Sequence, residues 1–211
     1  MNAKEIIDIS IPLYTGMMVY PGNPEVEVSR VQDIDCGGSS NVSRLTLGSH
    51  TGTHIDAPSH CIPAGASIDT LPLSAFFGPC KVFDATGEEG SVSLAFVQSK
   101  QIEEGDRVLF KTKNSLVGFE TFRNDFVFLS GEASEYVASK KVSLVGIDFL
   151  SIKQKGSSDN RPHLEFLSRN IPILEGVDLK EVEGGEYILS AFPLKIVGCD
   201  GGLARAVLIR Q

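Results

Sequence analysis

Three of the four histidines fall within His50-Thr51-Gly52-Thr53-His54-Ile55-Asp56-Ala57-Pro58-Ser59-His60, with an aspartate among them. Neutral imidazole nitrogen and carboxylate oxygen are the usual donors to Zn²⁺, Mn²⁺ or Fe²⁺. A helix brings His50 and His54 within about 40° of each other but sends Asp56 to the far side. Gly52, the two threonines and Pro58 also disfavour a helix. In an extended chain, positions 50, 54, 56 and 60 share one parity and therefore one face. Drawn straight, the stretch spans about 33 Å, too far for all four groups to reach one ion. Gly52 and Pro58 permit the bends that would gather them. The expectation is a strand end or loop that curls around a metal.

His50, His54 and Asp56 supply the three protein ligands of a catalytic site with an open position. His60 is then free to take and return a proton beside the ion; the alternative is that His60 is itself a ligand. The fourth histidine, His163, lies in the first turn of an expected helix, and an apolar run 171–174 follows and ends at Glu175. A helix over 163–169 advances about 9–10 Å and a strand over 171–175 returns about 13 Å. If the two run antiparallel, His163 and Glu175 meet at one edge. The combined donor set could hold two metals with Asp56 bridging, an arrangement that clamps a carbonyl oxygen and activates water.

The elements that must position these residues read mainly as strands: 6–11, 26–31, 43–47, 81–84, 107–111, 126–129, 143–147, 171–174, 195–197 and 204–209. Helices are expected over 91–100, 132–141 and 162–169, from serine or proline starts, apolar spacing and basic or asparagine ends. The pattern predicts a single mixed α/β domain over residues 1–211 with a substantial sheet. Residues 37–41 read as a surface loop, Phe76-Phe77 as core, and the acidic run 181–186 as a solvated turn.

The composition narrows the partners. The chain has 211 residues, 42% hydrophobic and 22% charged, with 19 Lys+Arg against 27 Asp+Glu and a net charge of −8. That is ordinary globular composition. It argues against sequence-independent nucleic-acid binding, which needs positive charge facing phosphates. No apolar run reaches the roughly 18 residues of a membrane span, and no export signal is read at the start. Cys36, Cys61, Cys80 and Cys199 form no C-x-x-C pair and read as mostly buried small apolar groups. A reducing cytoplasm is the expected compartment.

The stretch from His50 to His60 resembles the H-x-G-T-H-x-D-x-P-x-H signature of the cyclase family, whose members include bacterial kynurenine formamidase and isatin hydrolase. Asp8-Ile9-Ser10, Tyr20-Pro21-Gly22, Gly146-Ile147-Asp148, His163 with Glu175, and Asp200-Gly201 also resemble family segments. The resemblance implies a swivelling β/β/α fold and a metal-dependent, arylformamidase-like hydrolase that cleaves an amide, formamide or lactam of a small-molecule substrate. It implies a homo-oligomer, dimer or tetramer, holding zinc (one or two ions), or manganese in some members. By position it implies metal ligation by His50, His54, Asp56, His163 and Glu175, proton transfer by His60, and contact of Tyr20 with the substrate ring. Formamidases resemble Trp-Pro-Gly at Tyr20, and this chain has no tryptophan; the C-terminal pattern departs at Gly202-Leu203. The rival readings are a non-haem iron oxygenase built on His54, Asp56 and His163, hydrolysis by Ser59 or Cys61 beside His60, and a metal-binding module without turnover.

Overall fold

The computed structural model describes residues 5–210. The strands are β1 (Ile6–Asp8), β2 (Glu27–Gln32), β3 (Val42–Thr46), β4 (His54–Asp56), β5 (Phe77–Asp84), β6 (Ser91–Val92), β7 (Arg107–Lys111), β8 (Phe128–Leu129), β9 (Leu144–Ile147), β10 (Ile173–Glu175), β11 (Gly185–Ser190), β12 (Gly201–Leu203) and β13 (Val207–Ile209). The helices are α1 (Leu94–Gln98), α2 (Lys113–Val117), α3 (Gly131–Ser139) and α4 (Arg161–Leu167). Three of them start at hydroxyl caps: Ser93, Thr112 and Ser130 accept from the N–H groups of Phe96, Asn114 and Ala133. In α4, Pro162 sits in the first turn and the Asn160 side chain makes no cap hydrogen bond.

One nine-stranded sheet runs β1-β13-β11-β5-β7-β9-β10-β4-β12. Its centre, β5-β7-β9-β10, is parallel, and the flanking strands pair antiparallel. This is the large mixed sheet of an α/β fold. Parallel strands covered on both faces read as unbroken apolar runs, and every residue of β7 and β9 is buried.

Alternation along each strand sorts side chains between the two faces. Leu109, Leu144, Leu174 and Ile55 enter one apolar core with Phe76 and Leu189. Val108, Phe110, Val145, Ile147 and Ile173 enter the other, with Val97, Val137, Phe166 and Leu167 from the helices. Strand β4 pairs with β10 in the register Glu175↔His54 and Ile173↔Asp56. Ile55 and Leu174 therefore face the first core, and His54, Asp56 and Glu175 all face the helical side.

The turn before β4 is pressed against the end of β10. A Cβ on Gly176 would sit 2.2 Å from the Gly52 carbonyl oxygen, and Gly176 has φ +67°. The Thr53 hydroxyl donates to the Gly176 carbonyl and accepts the Ile11 N–H at 2.9 Å. Only glycine tolerates that approach at positive φ.

Several expectations move. Residues 195–197 form no strand: Val197 is 84% exposed, Ile196 turns back to the Leu194 carbonyl, and the isolated bridge Pro193↔Ala204 lies just before the segment. Proline lacks the N–H that would extend the ladder. The acidic run divides, with 181–184 turning and Gly185-Glu186 opening β11. Phe76 is core, but Phe77 is 51% exposed. Of the cysteines only Cys80 is buried; Cys36 is exposed.

Gly176→Ala is expected to lower the melting temperature by roughly 5–10 °C, from strain plus displacement of the Gly52 turn. A thermal melt within a degree or so of wild type would show that the two segments are not in register as described.

Candidate metal centre

Asp56 is the centre of the cluster and is 1% exposed. Its Oδ1 lies 2.6 Å from His50 Nδ1 and 3.3 Å from His54 Nε2. Its Oδ2 faces His163 Nε2 at 3.7 Å. Glu175, beside His54 across the β10–β4 ladder, puts Oε2 at 3.6 Å from His54 Nε2 and Oε1 at 3.6 Å from His163 Nε2. The edge that brings His163 and Glu175 together is the one the helix and strand lengths predict. His60 follows from Pro58, whose ring opens a short 3₁₀ turn over Pro58–His60. Its ring stands 4.1 Å from that of His50 and 5.6 Å from that of His163, centroid to centroid.

The donor set fits a cation on evidence of its own. His54 donates its Nδ1–H to the Gly52 carbonyl at 3.0 Å. That bond orients the ring and aims Nε2 at the carboxylates, where a bound cation would take its lone pair. His54 Nε2 and Asp56 Oδ2 are both buried with no hydrogen-bond partner among the described residues. Buried polar atoms are rarely left so, and cations held in the cluster would satisfy them. Three donor groups converge closely enough to share an ion: His50/His54/Asp56, Asp56/His60/His163 and His50/His60/Asp200.

Asp200 is the residue that spacing alone did not place. It sits just before β12, and its Oδ2 is 3.1 Å from His50 Nε2 while Oδ1 accepts the Ser49 hydroxyl at 2.9 Å. Its 150-residue separation from His50 leaves no local signal. Gly201 makes room for the same ring: a Cβ there would lie 2.8 Å from His50 Cε1.

The electrostatics follow from burial against charge. Burial lowers the His50 imidazole, but Asp56 and Asp200 override it and raise it to about 9. Burial likewise opposes, and Asp56 and Glu175 outweigh it, in raising His54. Burial would raise Asp56, yet His50 and His54 hold it well below the carboxylate range. Asp200 is taken down to about 2 by His50 and Ser49 against partial burial. His60 shifts the other way, lowered chiefly by burial and further by its imidazole neighbours.

A pocket of about 400 Å³ opens beside the cluster, lined by Tyr20, Asn23, His50, His60, Cys61, Leu150, Ser151, Lys153, Asn160, His163, Leu164 and Glu175. Its volume suits a single-ring ligand. Tyr20 is held edge-on to Phe122 at 5.3 Å. The Cys61 thiol is pushed up to about 11 by burial and by Asp56 and Glu175, which disfavours the thiolate a nucleophile needs.

His50 stabilises the metal-free fold through its raised pKa. Its contribution is complete below about pH 6.5 and is lost as pH climbs through about 9. Asp56 contributes above the ordinary carboxylate range and loses that contribution on acidification. Chelator-treated protein should therefore melt at a lower temperature near pH 9.5 than near pH 6.5; equal melting temperatures would contradict these protonation states.

Comparison with known proteins places this geometry in context. The family model Cyclase, described as "Putative cyclase", matches residues 7–154. The kynurenine formamidase of Erythrobacter litoralis (strain HTCC2594) is 38% identical over 207 residues, covering 98% of this chain and 94% of that protein. A solved structure described as a potential metal-dependent hydrolase with cyclase activity is 38% identical, with a TM-score of 0.88 and 99% of both chains covered. An isatin hydrolase bound to thioisatinate shares the fold, with a TM-score of 0.85 at 24% identity over 98% of this chain and 92% of that one.

Proposed function

Because the chain belongs to the cyclase family of metal-dependent hydrolases, we propose that it hydrolyses the carbon–nitrogen bond of an aryl formamide, or of a related amide or lactam, as one domain over residues 1–211. The observation that carries this is the buried, partnerless pair His54 Nε2 and Asp56 Oδ2, set beside a ring-sized pocket. His50, His54 and Asp56 would hold a divalent metal, with His163 and Glu175 as the ligands of a second ion. The division of Asp56, with Oδ1 toward His50 and His54 and Oδ2 toward His163, supports the bridging role. Zinc is the proposed ion and manganese the alternative, since both accept imidazole with carboxylate. Bound there, a divalent metal supplies Lewis acidity to the acyl oxygen and makes water acidic near neutral pH.

The chain's own groups do the rest. Tyr20, which lines the same pocket as His60 and His163, offers an aromatic ring to the aryl group. His60, kept neutral near pH 7 by its burial, accepts the proton of the attacking water. As the oxygen–carbon bond forms and the carbon–nitrogen bond breaks, His60 returns that proton to the departing nitrogen. The products are a carboxylate and an amine, or the ring-opened amino acid where the substrate is a lactam. Glu175 is steadied by the Ile152 N–H at 2.7 Å, and Asp200 Oδ2 lies 3.9 Å from His60 Nδ1, beyond hydrogen-bond reach.

Two further parts of this reading concern the molecule around the site. A homo-oligomer, dimer or tetramer, is supported by an apolar cleft of about 970 Å³ that includes Leu13, Leu45, Phe192, Leu194 and Ile196, all more than a third exposed. A cytoplasmic setting is supported by four cysteines that are free thiols. No helix among the described residues is long and apolar enough to cross a membrane.

The competing role for His60, as a ligand, draws on the convergence of Asp56, His60 and His163. His60→Ala separates the two. Loss of roughly 10²–10⁴-fold in kcat with metal content unchanged is expected for a proton carrier. Loss of metal in that variant would make His60 a ligand and remove the proton-transfer role.

A further inference from the structure

We propose that Lys153 is an anion-recognising residue, and that the substrate carries a carboxylate or similar anion beside its scissile amide, which the Lys153 ammonium pairs with. The inference rests on the hydrolase reading above and narrows it to a substrate class. Lys153 is half-buried and lines the pocket with Ser151, Asn160 and the imidazoles. It forms no ion pair among the described residues, although acids are in excess in the chain by 27 to 19. The one hydrogen bond of its ammonium among the described residues goes to a neutral acceptor, Asn160 Oδ1, at 2.5 Å. Asp159, next in sequence to Asn160, feels the Lys153 charge at longer range, but its two oxygens are held by Arg161, whose Nε lies 3.0 and 3.2 Å from them. The pocket's carboxylate, Glu175, is directed at the histidines and the Ile152 N–H.

An ammonium half out of water without a counter-ion is costly, and the cost rises when a ligand excludes the remaining solvent. A ligand that brings its own negative charge removes that cost. The surroundings repeat the pattern. Lys155 Nζ stands 5.0 Å over Phe122, the ring that supports Tyr20, and Arg123 lies 5.8 Å from Phe149, which packs on Phe122. Arg123 Nε and Nη2 are buried with no partner, and neither Lys155 nor Arg123 makes an ion pair among the described residues. Of these cations only Lys153 lines the pocket; Lys155 and Arg123 stand behind it, on the aromatic rings that back Tyr20. The charge of Lys153 also reaches inward, opposing the effect of Asp56 and Glu175 on Cys61. A rim lysine with a purely structural tie to Asn160 would account for the hydrogen bond but not for an ammonium that lines the pocket with no carboxylate in ion-pair distance among the described residues.

The test compares formanilide with its ortho-carboxylated analogue, N-(2-carboxyphenyl)formamide, on zinc-loaded wild type, Lys153→Met and Lys153→Arg. The ratio of kcat/KM for the carboxylated over the neutral substrate is expected to fall roughly 10–100-fold in Lys153→Met, mostly in KM, and to recover largely in Lys153→Arg. An unchanged ratio, with both substrates affected alike, would overturn the proposal. Calorimetric titration with benzoate gives a readout independent of turnover: wild type should bind it, and Lys153→Met should bind it about tenfold or more weakly. Equal binding by both proteins, or none by wild type, would contradict the assignment. Lys153-dependent benzoate binding without cleavage of either formamide would leave the anion site standing and reject the hydrolase reading.

Discussion

A carboxylate buried to 1% exposure governs this molecule. An unpaired charge in that position would cost several kcal/mol. Asp56 is tolerable because His50, His54 and His163 surround it and a second carboxylate, Glu175, shares two of those imidazoles. Two acids and three imidazoles packed so closely leave buried lone pairs that no protein group answers. The cluster is thereby poised for a cation, and the fold around it reads as the means of keeping it assembled.

That means is the sheet. The strand that carries His54 and Asp56 is only three residues long and lies between β10 and β12, so its register is fixed from both sides. A slip of one residue would turn Ile55 into the cluster and both ligand candidates into the apolar core. Gly52, Gly176 and Thr53 lock the entry to the strand. Gly201 leaves space for the His50 ring on the opposite flank. Helix α4 and strand β10 then deliver His163 and Glu175 from the other half of the chain. The site is thus a property of strand order, and its components are separated by more than a hundred residues in sequence.

What could be read from the sequence follows from this. His50, His54, Asp56 and His60 were legible because their types, parity and flanking glycine and proline all lie in one short stretch. His163 and Glu175 were legible only conditionally, through element lengths that bring the two to one edge if the strand returns antiparallel to the helix. The parallel core strands were visible as apolar runs. Asp200 was legible only as part of a resembling segment, and its contact with His50 was not, because nothing local distinguishes an aspartate before two glycines from a turn. Strand β12 was hidden by those same glycines, which have low strand propensity, and the proline at 193 sits where a strand was expected nearby. Strand β4 was only half legible: the shared parity of His54 and Asp56 pointed to extended chain, read as a strand end or loop, and the structure makes it a strand of three residues. Lys153 gave no signal at all: a lone lysine becomes informative only once the surrounding acids are seen to be occupied elsewhere.

The most direct test of the account is elemental analysis of purified protein alongside an Asp56→Asn variant, after both are dialysed against zinc and then against metal-free buffer. One or two equivalents of transition metal retained by the wild type, with little or none in a folded Asp56→Asn, is the predicted result. A folded wild type that retains no metal, or an Asp56→Asn that retains as much, would contradict the claim that this buried carboxylate exists to hold a cation.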